Sequence, residues 1–266
     1  MLEEDCLLMY KRGFIPLEIK TSNRKMSCRA CERLLTGFTL VELLVVLAII
    51  ALLMAILMPV LRKAREQGKD AICKNNMRQI GMGAQLYAEA WQSQIPRGWG
   101  GNPGKTWYML FMPYLAQRPV DNDYRNVKIY RCPSYPDTEQ TVCYVVNGWE
   151  FSSDTDMVGG ETIKPTPLSE CCFLASTIYL ADNEYGPPAW RPIIRKADDE
   201  GWNRCDVWDP GHLPSSDSQD TRRGRRVARD RHKDRGCNSL YLDWHVEWVA
   251  ADKMSINMWR FKKIAY

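Results

Sequence analysis

From Phe38 to Met58 the chain reads Phe-Thr-Leu-Val-Glu-Leu-Leu-Val-Val-Leu-Ala-Ile-Ile-Ala-Leu-Leu-Met-Ala-Ile-Leu-Met, and Glu42 is its only ionisable side chain. At about 1.5 Å of rise per residue, about 20 helical residues cross a hydrocarbon layer about 30 Å thick. The run is apolar on every helical face, which suits a helix surrounded by lipid. A carboxylate inside such a segment is costly, so Glu42 needs a partner or a purpose. The run therefore commits the chain to one long helix near its N-terminus, with every other element built around or beyond it.

The flanks of the run are basic. Lys11, Arg12, Lys20, Arg24, Lys25, Arg29 and Arg33 precede it, and Arg62, Lys63 and Arg65 follow. Basic residues ahead of a span favour a cytoplasmic N-terminus, but the three that follow weaken that inference. Pro59 closes the apolar run and is expected to kink a continuing helix. Beyond it Cys73, Met77, Ile80, Ala84, Tyr87 and Trp91 recur at three- and four-residue spacing, one apolar stripe of an amphipathic helix. Lys74, Asn75, Arg78, Gln85 and Glu89 lie on its other face. Gly81 and Gly83 lower helix propensity and leave room for a strand to pack closely. Pro96 and the glycine-rich run to Gly104 stop the helix. The expectation is one helix over about residues 38–94, its second half lying under a globular head.

The head has enough chain for one domain with a real core, and 10 Trp and 12 Tyr argue against general disorder. Its formal net charge of +4, for the whole chain, creates no field that points to nucleic acid. Lys105–Leu115 reads as a short aromatic segment with helical character. Asn126–Arg131 and Thr141–Trp149 read as strands, with Cys132–Asp137 as the turn between them. Ser169–Leu180 reads as a buried strand, 186–236 as long loops, and Ser239–Leu242 with His245–Val249 as a tight hairpin. The fold class expected is α+β: a long helix packed on a small antiparallel sheet with long loops.

Gly37-Phe38-Thr39-Leu40-Val41-Glu42 resembles the processing site of type IV prepilins and type II secretion pseudopilins. In that family a membrane peptidase cuts after the glycine and the new N-terminus is methylated. The resemblance implies cleavage between Gly37 and Phe38, an N-methylated Phe38, and Glu42 as the fifth mature residue, acting in assembly. It also implies a prepilin peptidase and fellow subunits as partners. The implied location is the inner membrane, crossed once, with the N-terminus cytoplasmic and the head outside. Four segments follow: a leader over 1–37, a span over 38–58, an amphipathic extension over 59–95 and a head over 96–266. The leader is longer than this family usually carries, and Met26 is an alternative start. Pro59 falls where pilins often carry a proline.

The stretch from His232 to Val246 resembles a C-terminal signature found in prepilin-like proteins of planctomycetes and related bacteria, the DUF1559 class. That signature is a His, nine residues, then Asp-Gly, usually followed by His-Val. Cys132-Pro-Ser134 matches another recurring piece of the class. Here ten residues separate His232 from Asp243, and Trp244 replaces the glycine that a two-residue hairpin turn prefers. His232, Asp243 and His245 form the expected head motif, with His232 tying a loop to the terminal hairpin near Asp243. A metal site or acid–base pair built from these three is the alternative. No nucleophile motif, phosphate loop or zinc-ligand spacing appears, so neither catalysis nor a resident metal is expected.

Cleavage would remove Cys6, Cys28 and Cys31, including the CxxC pair, and leave Cys73, Cys132, Cys143, Cys171, Cys172, Cys205 and Cys237. An oxidising compartment permits disulfides, and Cys132 with Cys143 is the preferred pair, the alternative being buried free thiols. No cofactor is expected, although Asp121, Asn122, Asp123 and Asn126 gather oxygen ligands of the kind calcium uses. The basic run Arg222, Arg223, Arg225, Arg226, Arg229 and Arg231 reads as a solvated loop. Trp99, Trp107, Trp190, Trp202 and Trp208 fall in segments read as loops. They sustain a rival reading, a membrane-anchored module that binds a glycan or another ligand.

Overall fold

The computed structural model describes residues 39–98, 106–121, 123–137, 140–162, 164–185, 205–218, 220, 223–233 and 235–261. The leader, Gly37 and Phe38 lie outside the described residues. The chain divides into two compact units, Met1–Leu53 and Met54–Tyr266.

The long helix α1 spans Leu40–Ala90, 51 residues with Pro59 inside it. Its start is built from the sequence Thr39-Leu-Val-Glu42. The Thr39 amide and hydroxyl both donate to Glu42 Oε2 at 2.8 Å, and the Glu42 amide donates to Thr39 Oγ1 at 3.2 Å. This reciprocal capping box satisfies backbone donors that the first helical turn leaves open. Side chains from Leu40 to Leu61 are exposed, so this part of α1 is long and apolar enough to cross a membrane. Farther on, Cys73, Met77, Ile80 and Ala84 are wholly buried and Tyr87 nearly so, as the stripe predicts. Trp91, past the helix end, is half-exposed but stacks on Tyr87 at 5.7 Å and donates from its indole to Tyr114 Oη.

Beyond α1 come strand β1 (Gln94–Ile95), helix α2 (Trp107–Phe111) and strands β2 (Tyr144–Asn147), β3 (Trp149–Glu150), β4 (Gly160–Glu161), β5 (Thr166–Pro167), β6 (Ile178–Asp182), β7 (Asp206–Val207), β8 (Gly236–Tyr241) and β9 (Val246–Ala250). The main sheet has the order β7-β2-β6-β8-β9. Its pairings are antiparallel except β2 with β7, which is parallel, so the sheet is mixed where a purely antiparallel one was expected. Two-stranded ribbons β1–β5 and β3–β4 complete the head.

Period-two alternation sends side chains to both faces of this sheet. Tyr144, Val146, Leu240 and Leu242 face the buried stripe of α1, with α2 packed alongside. Val145, Cys237 and Tyr241 face a second layer with Trp149, Trp208, Leu213, Val227, Met254 and Trp259. Gly81 allows the close approach of β8: a β-carbon there would lie 3.2 Å from Leu240 and 3.4 Å from Trp244. The room left by this glycine is thus taken by a strand, as the sequence suggests.

Asn126–Arg131 is not a strand. It folds as two 3-10 turns, Tyr124–Asn126 and Lys128–Tyr130, whose polar groups are met by scattered partners such as Gln117 and Cys143 instead of by a sheet ladder. Asn76 of α1 donates to Arg131 O at 2.9 Å, and Tyr130 Oη donates to Tyr108 O at 2.7 Å. Likewise, only the end of the segment read as Ser169–Leu180 is strand. Turns at Leu168–Glu170 and Leu174–Ser176 precede β6, which runs on to Asp182.

Candidate functional site

Four side chains from four separate segments converge inside the head. Cys73 comes from the buried stripe of α1, Cys132 from the turn after the second 3-10 turn, Asp182 from the last position of β6, and His232 from the loop entering β8. Their donor atoms all lie within 4.8 Å of one another. Cys132 Sγ is 3.1 Å from His232 Nε2, Cys73 Sγ is 3.3 Å from Asp182 Oδ1, and His232 Nε2 is 3.5 Å from Asp182 Oδ2. Cys73 and Asp182 are wholly buried, Cys132 is 3 % exposed, and the His232 side chain is inaccessible.

The surroundings hold this group in place. Asp182 Oδ2 accepts the Asn238 amide of β8 at 2.9 Å, and Asn238 Nδ2 donates to Asp70 Oδ1 at 2.8 Å. Tyr144 Oη lies 3.5 Å from Cys73 Sγ. His232 has a φ of +64°, a conformation costly for a residue with a side chain, so the fold holds its ring there against local preference. Burial opposes charge on His232, yet hydrogen bonding and charge from Asp182 and Cys132 push it up to about 10. Burial would raise Cys132 too, but hydrogen bonds from Cys73 and His232 bring it down to about 6. Cys73 itself is raised well above the ordinary thiol value, first by burial and then by Cys132 and Asp182. A mixed-charge cleft of ≈930 Å³ passes beside Asp70 and His232, lined also by Met58, Arg62, Lys63 and Lys233.

This arrangement divides the expected head motif. Instead of meeting Asp243, His232 reaches into the sheet and meets Asp182. Asp243 Oδ1 sits 2.5 Å from His245 Nδ1 at the exposed tip of the β8–β9 hairpin, and His245 stacks on Tyr241 at 4.3 Å. The three residues do not converge on a common point, so the site drawn from all three does not form and only the Asp243–His245 contact at the hairpin tip remains. Sequence reasoning missed Cys73, Cys132 and Asp182 as partners of His232. Cys132 and His232 are 100 residues apart and Cys73 and Asp182 are 109, so no local spacing marks them.

Cys132 and Cys143 are both free thiols, as are all seven cysteines beyond the leader. Cys132 Sγ is engaged with His232, while Cys143 Sγ is directed to Gln140 O at 3.9 Å. The arginine-rich run is a solvated loop only in part: Arg223 is exposed, but its neighbours are paired. Arg226 pairs with Asp206 at 2.5 Å in the interior, Arg225 with Glu184 at 2.5 Å, and Arg229 with Asp217 at 2.7 Å. Arg222 lies outside the described residues. Of the five loop tryptophans, Trp107 is wholly buried in α2 and Trp208 belongs to the second core layer. Trp99, Trp190 and Trp202 lie outside the described residues. Asp121 is exposed, Asp123 is half-buried, and Asn122 lies outside the described residues. Among the described residues, the buried cluster is the one group of three or more His, Cys, Asp or Glu side chains close enough to share an ion.

Two family models match parts of the chain. Residues 36–58 match the family described as the prokaryotic N-terminal methylation motif. Residues 62–167 match the family described as a protein of unknown function, DUF1559. The chain is a prepilin-like protein with a DUF1559-like head. No curated protein and no solved structure matches it. In this prepilin-like protein the match to the methylation motif runs through Glu42 and ends at Met58, just before Pro59. The head match includes Cys73 and Cys132 and ends before Asp182 and His232. The motif and the long apolar helix fit a membrane-anchored protein.

Proposed function

We propose that this prepilin-like protein is a structural subunit of a type II secretion or type IV pilus-like filament. A prepilin peptidase cuts between Gly37 and Phe38, and the new amino group of Phe38 is methylated. The span over 38–58 then holds the subunit in the inner membrane, with the head outside. Subunits leave the bilayer laterally and bundle their apolar helices, and the head decorates the filament without chemistry of its own. The observation that carries this reading is the methylation motif at residues 36–58, continuous with a helix whose lipid-suited half leads directly into the core of the head. Of the tryptophans behind the rival binding-module reading, Trp107 and Trp208 are core residues, and Trp99, Trp190 and Trp202 lie outside the described residues.

Glu42 has two separable roles in this proposal. It caps its own helix through Thr39, and its charge neutralises the Phe38 ammonium of a neighbouring subunit in a medium where either charge alone is costly. Glu42→Gln keeps an N3 side chain able to complete the capping box but removes the charge. Both Glu42→Gln and Glu42→Ala are expected to insert and be cleaved normally yet fail to enter filaments. Filaments at wild-type abundance from Glu42→Gln would show that capping, not charge, is what assembly uses. The processing step is tested first, by N-terminal sequencing and intact mass of protein from its native membrane. An N-methylated Phe38 is expected, and an uncut chain would overturn the proposal.

A further inference from the structure

The buried cluster has the composition and shape of a closed zinc site. We propose that Cys73, Cys132, Asp182 and His232 bind one structural zinc ion that staples α1 to the sheet of the head. Zinc takes four ligands tetrahedrally, with Zn–S about 2.3 Å and Zn–N or Zn–O about 2.0–2.2 Å, which sets ligand-to-ligand separations of about 3.3–3.8 Å. Three separations, 3.1 Å (Cys132–His232), 3.3 Å (Cys73–Asp182 Oδ1) and 3.5 Å (His232–Asp182 Oδ2), lie at or just short of those edges, and all four donor atoms lie within 4.8 Å of one another, so small shifts would close the four around one ion. One nitrogen, His232 Nε2, faces both the Cys132 sulfur and the Asp182 carboxylate. A single N–H cannot serve both well, whereas a lone pair directed at an ion between them can.

The outer contacts fit as well. His232 Nδ1 is buried without a hydrogen-bond partner among the described residues, and Asp70 Oδ1 lies 3.9 Å away. A small shift would complete the carboxylate–histidine–metal relay that orients metal-bound imidazoles. Binding displaces the protons of both thiols, and the resulting set (two thiolates, one carboxylate and one divalent ion) carries one net negative charge. Arg231, next in sequence to His232 and 4 % exposed, supplies the balancing positive charge. A disulfide between Cys73 and Cys132 would use the two sulfurs but give no reason for the Asp182 and His232 donors to converge on them.

The test uses the full chain, purified in detergent from its native membrane without chelator. Zinc is measured by elemental analysis, and the stripped protein is then titrated with cobalt(II). About one zinc per chain is expected, with a thiolate-to-cobalt charge-transfer band and the visible bands of a tetrahedral ion. Cys132→Ser and Cys73→Ser are expected to reduce the metal to near zero, while Cys143→Ser retains it. Asp70→Asn is expected to weaken zinc binding about 10–100-fold, as loss of an orienting partner does. A native Cys73–Cys132 disulfide would overturn the proposal. So would zinc that survives loss of Cys132. If the cysteine variants fail to fold, the wild-type chain still decides: free thiols that give no thiolate–cobalt band rule the site out.

Discussion

Trp244 occupies a hairpin position that usually belongs to glycine. Its amide donates to Tyr241 O at 3.0 Å, the Tyr241 amide donates to His245 O at 3.0 Å, and the Trp244 backbone has a φ of +71°. This is a three-residue connection with a left-handed residue near its end. The steric cost that the sequence implies for tryptophan is therefore real. What offsets it is packing: the ring meets Tyr179 edge-on at 6.1 Å and its β-carbon sits against Gly81 of α1. Trp244→Gly relaxes the backbone but removes the larger packing contribution. It is expected to destabilise the head by about 1–3 kcal/mol in urea unfolding. A neutral or stabilising result would mean that the turn, not the ring, dominates.

The connection between β3 and β4 is organised by one carboxylate. Asp156 accepts from the Ser152 amide at 3.0 Å and hydroxyl at 2.8 Å, and from the amides of Val158 and Gly159 at 3.0 and 2.8 Å. These donors, the Ser152 amide first and the Gly159 amide next, hold the Asp156 carboxyl well below the usual carboxylate range. A depressed folded-state value means that the loop gains stability above the ordinary aspartate value of about 4 and loses it as pH falls through the folded one. Amide exchange over 152–159, corrected for the intrinsic rate, is expected to speed up below about pH 4 in the native protein. Asp156→Asn should abolish that dependence. Elements of this kind separate what periodicity encodes from what it does not. The α1 stripe and the terminal hairpin are legible because their apolar spacing repeats at 3.6 and 2 residues. The 3-10 turns at 124–130 carry strand-like Val, Ile and Tyr, and only distant partners, Asn76 and Tyr108, decide their form. The buried cluster was hidden for the same reason. His232 could be singled out because only three histidines exist, but its neighbours are set by tertiary contact alone.

At the scale of the molecule, α1 holds both a stretch long and apolar enough to cross a membrane and a wall of the head's core. A chain beginning near residue 60 retains Cys73, Met77, Ile80, Ala84 and Tyr87 and is expected to fold cooperatively and remain soluble without detergent. A chain beginning at residue 92 loses that wall, exposes the sheet face carrying Tyr144, Val146, Leu240 and Leu242, and is expected to aggregate. Circular dichroism melts of the two truncations check this. Equal stability of both would mean that the helix contributes no essential packing. The continuity of α1 from Leu40 to Ala90 also has a mechanical consequence. In a helix without an intervening linker, tension applied at the apolar end has no slack segment to extend. It loads in shear the packing of the Leu240 and Trp244 side chains against α1 at Gly81. Yielding there would require a whole packed face to slip at once.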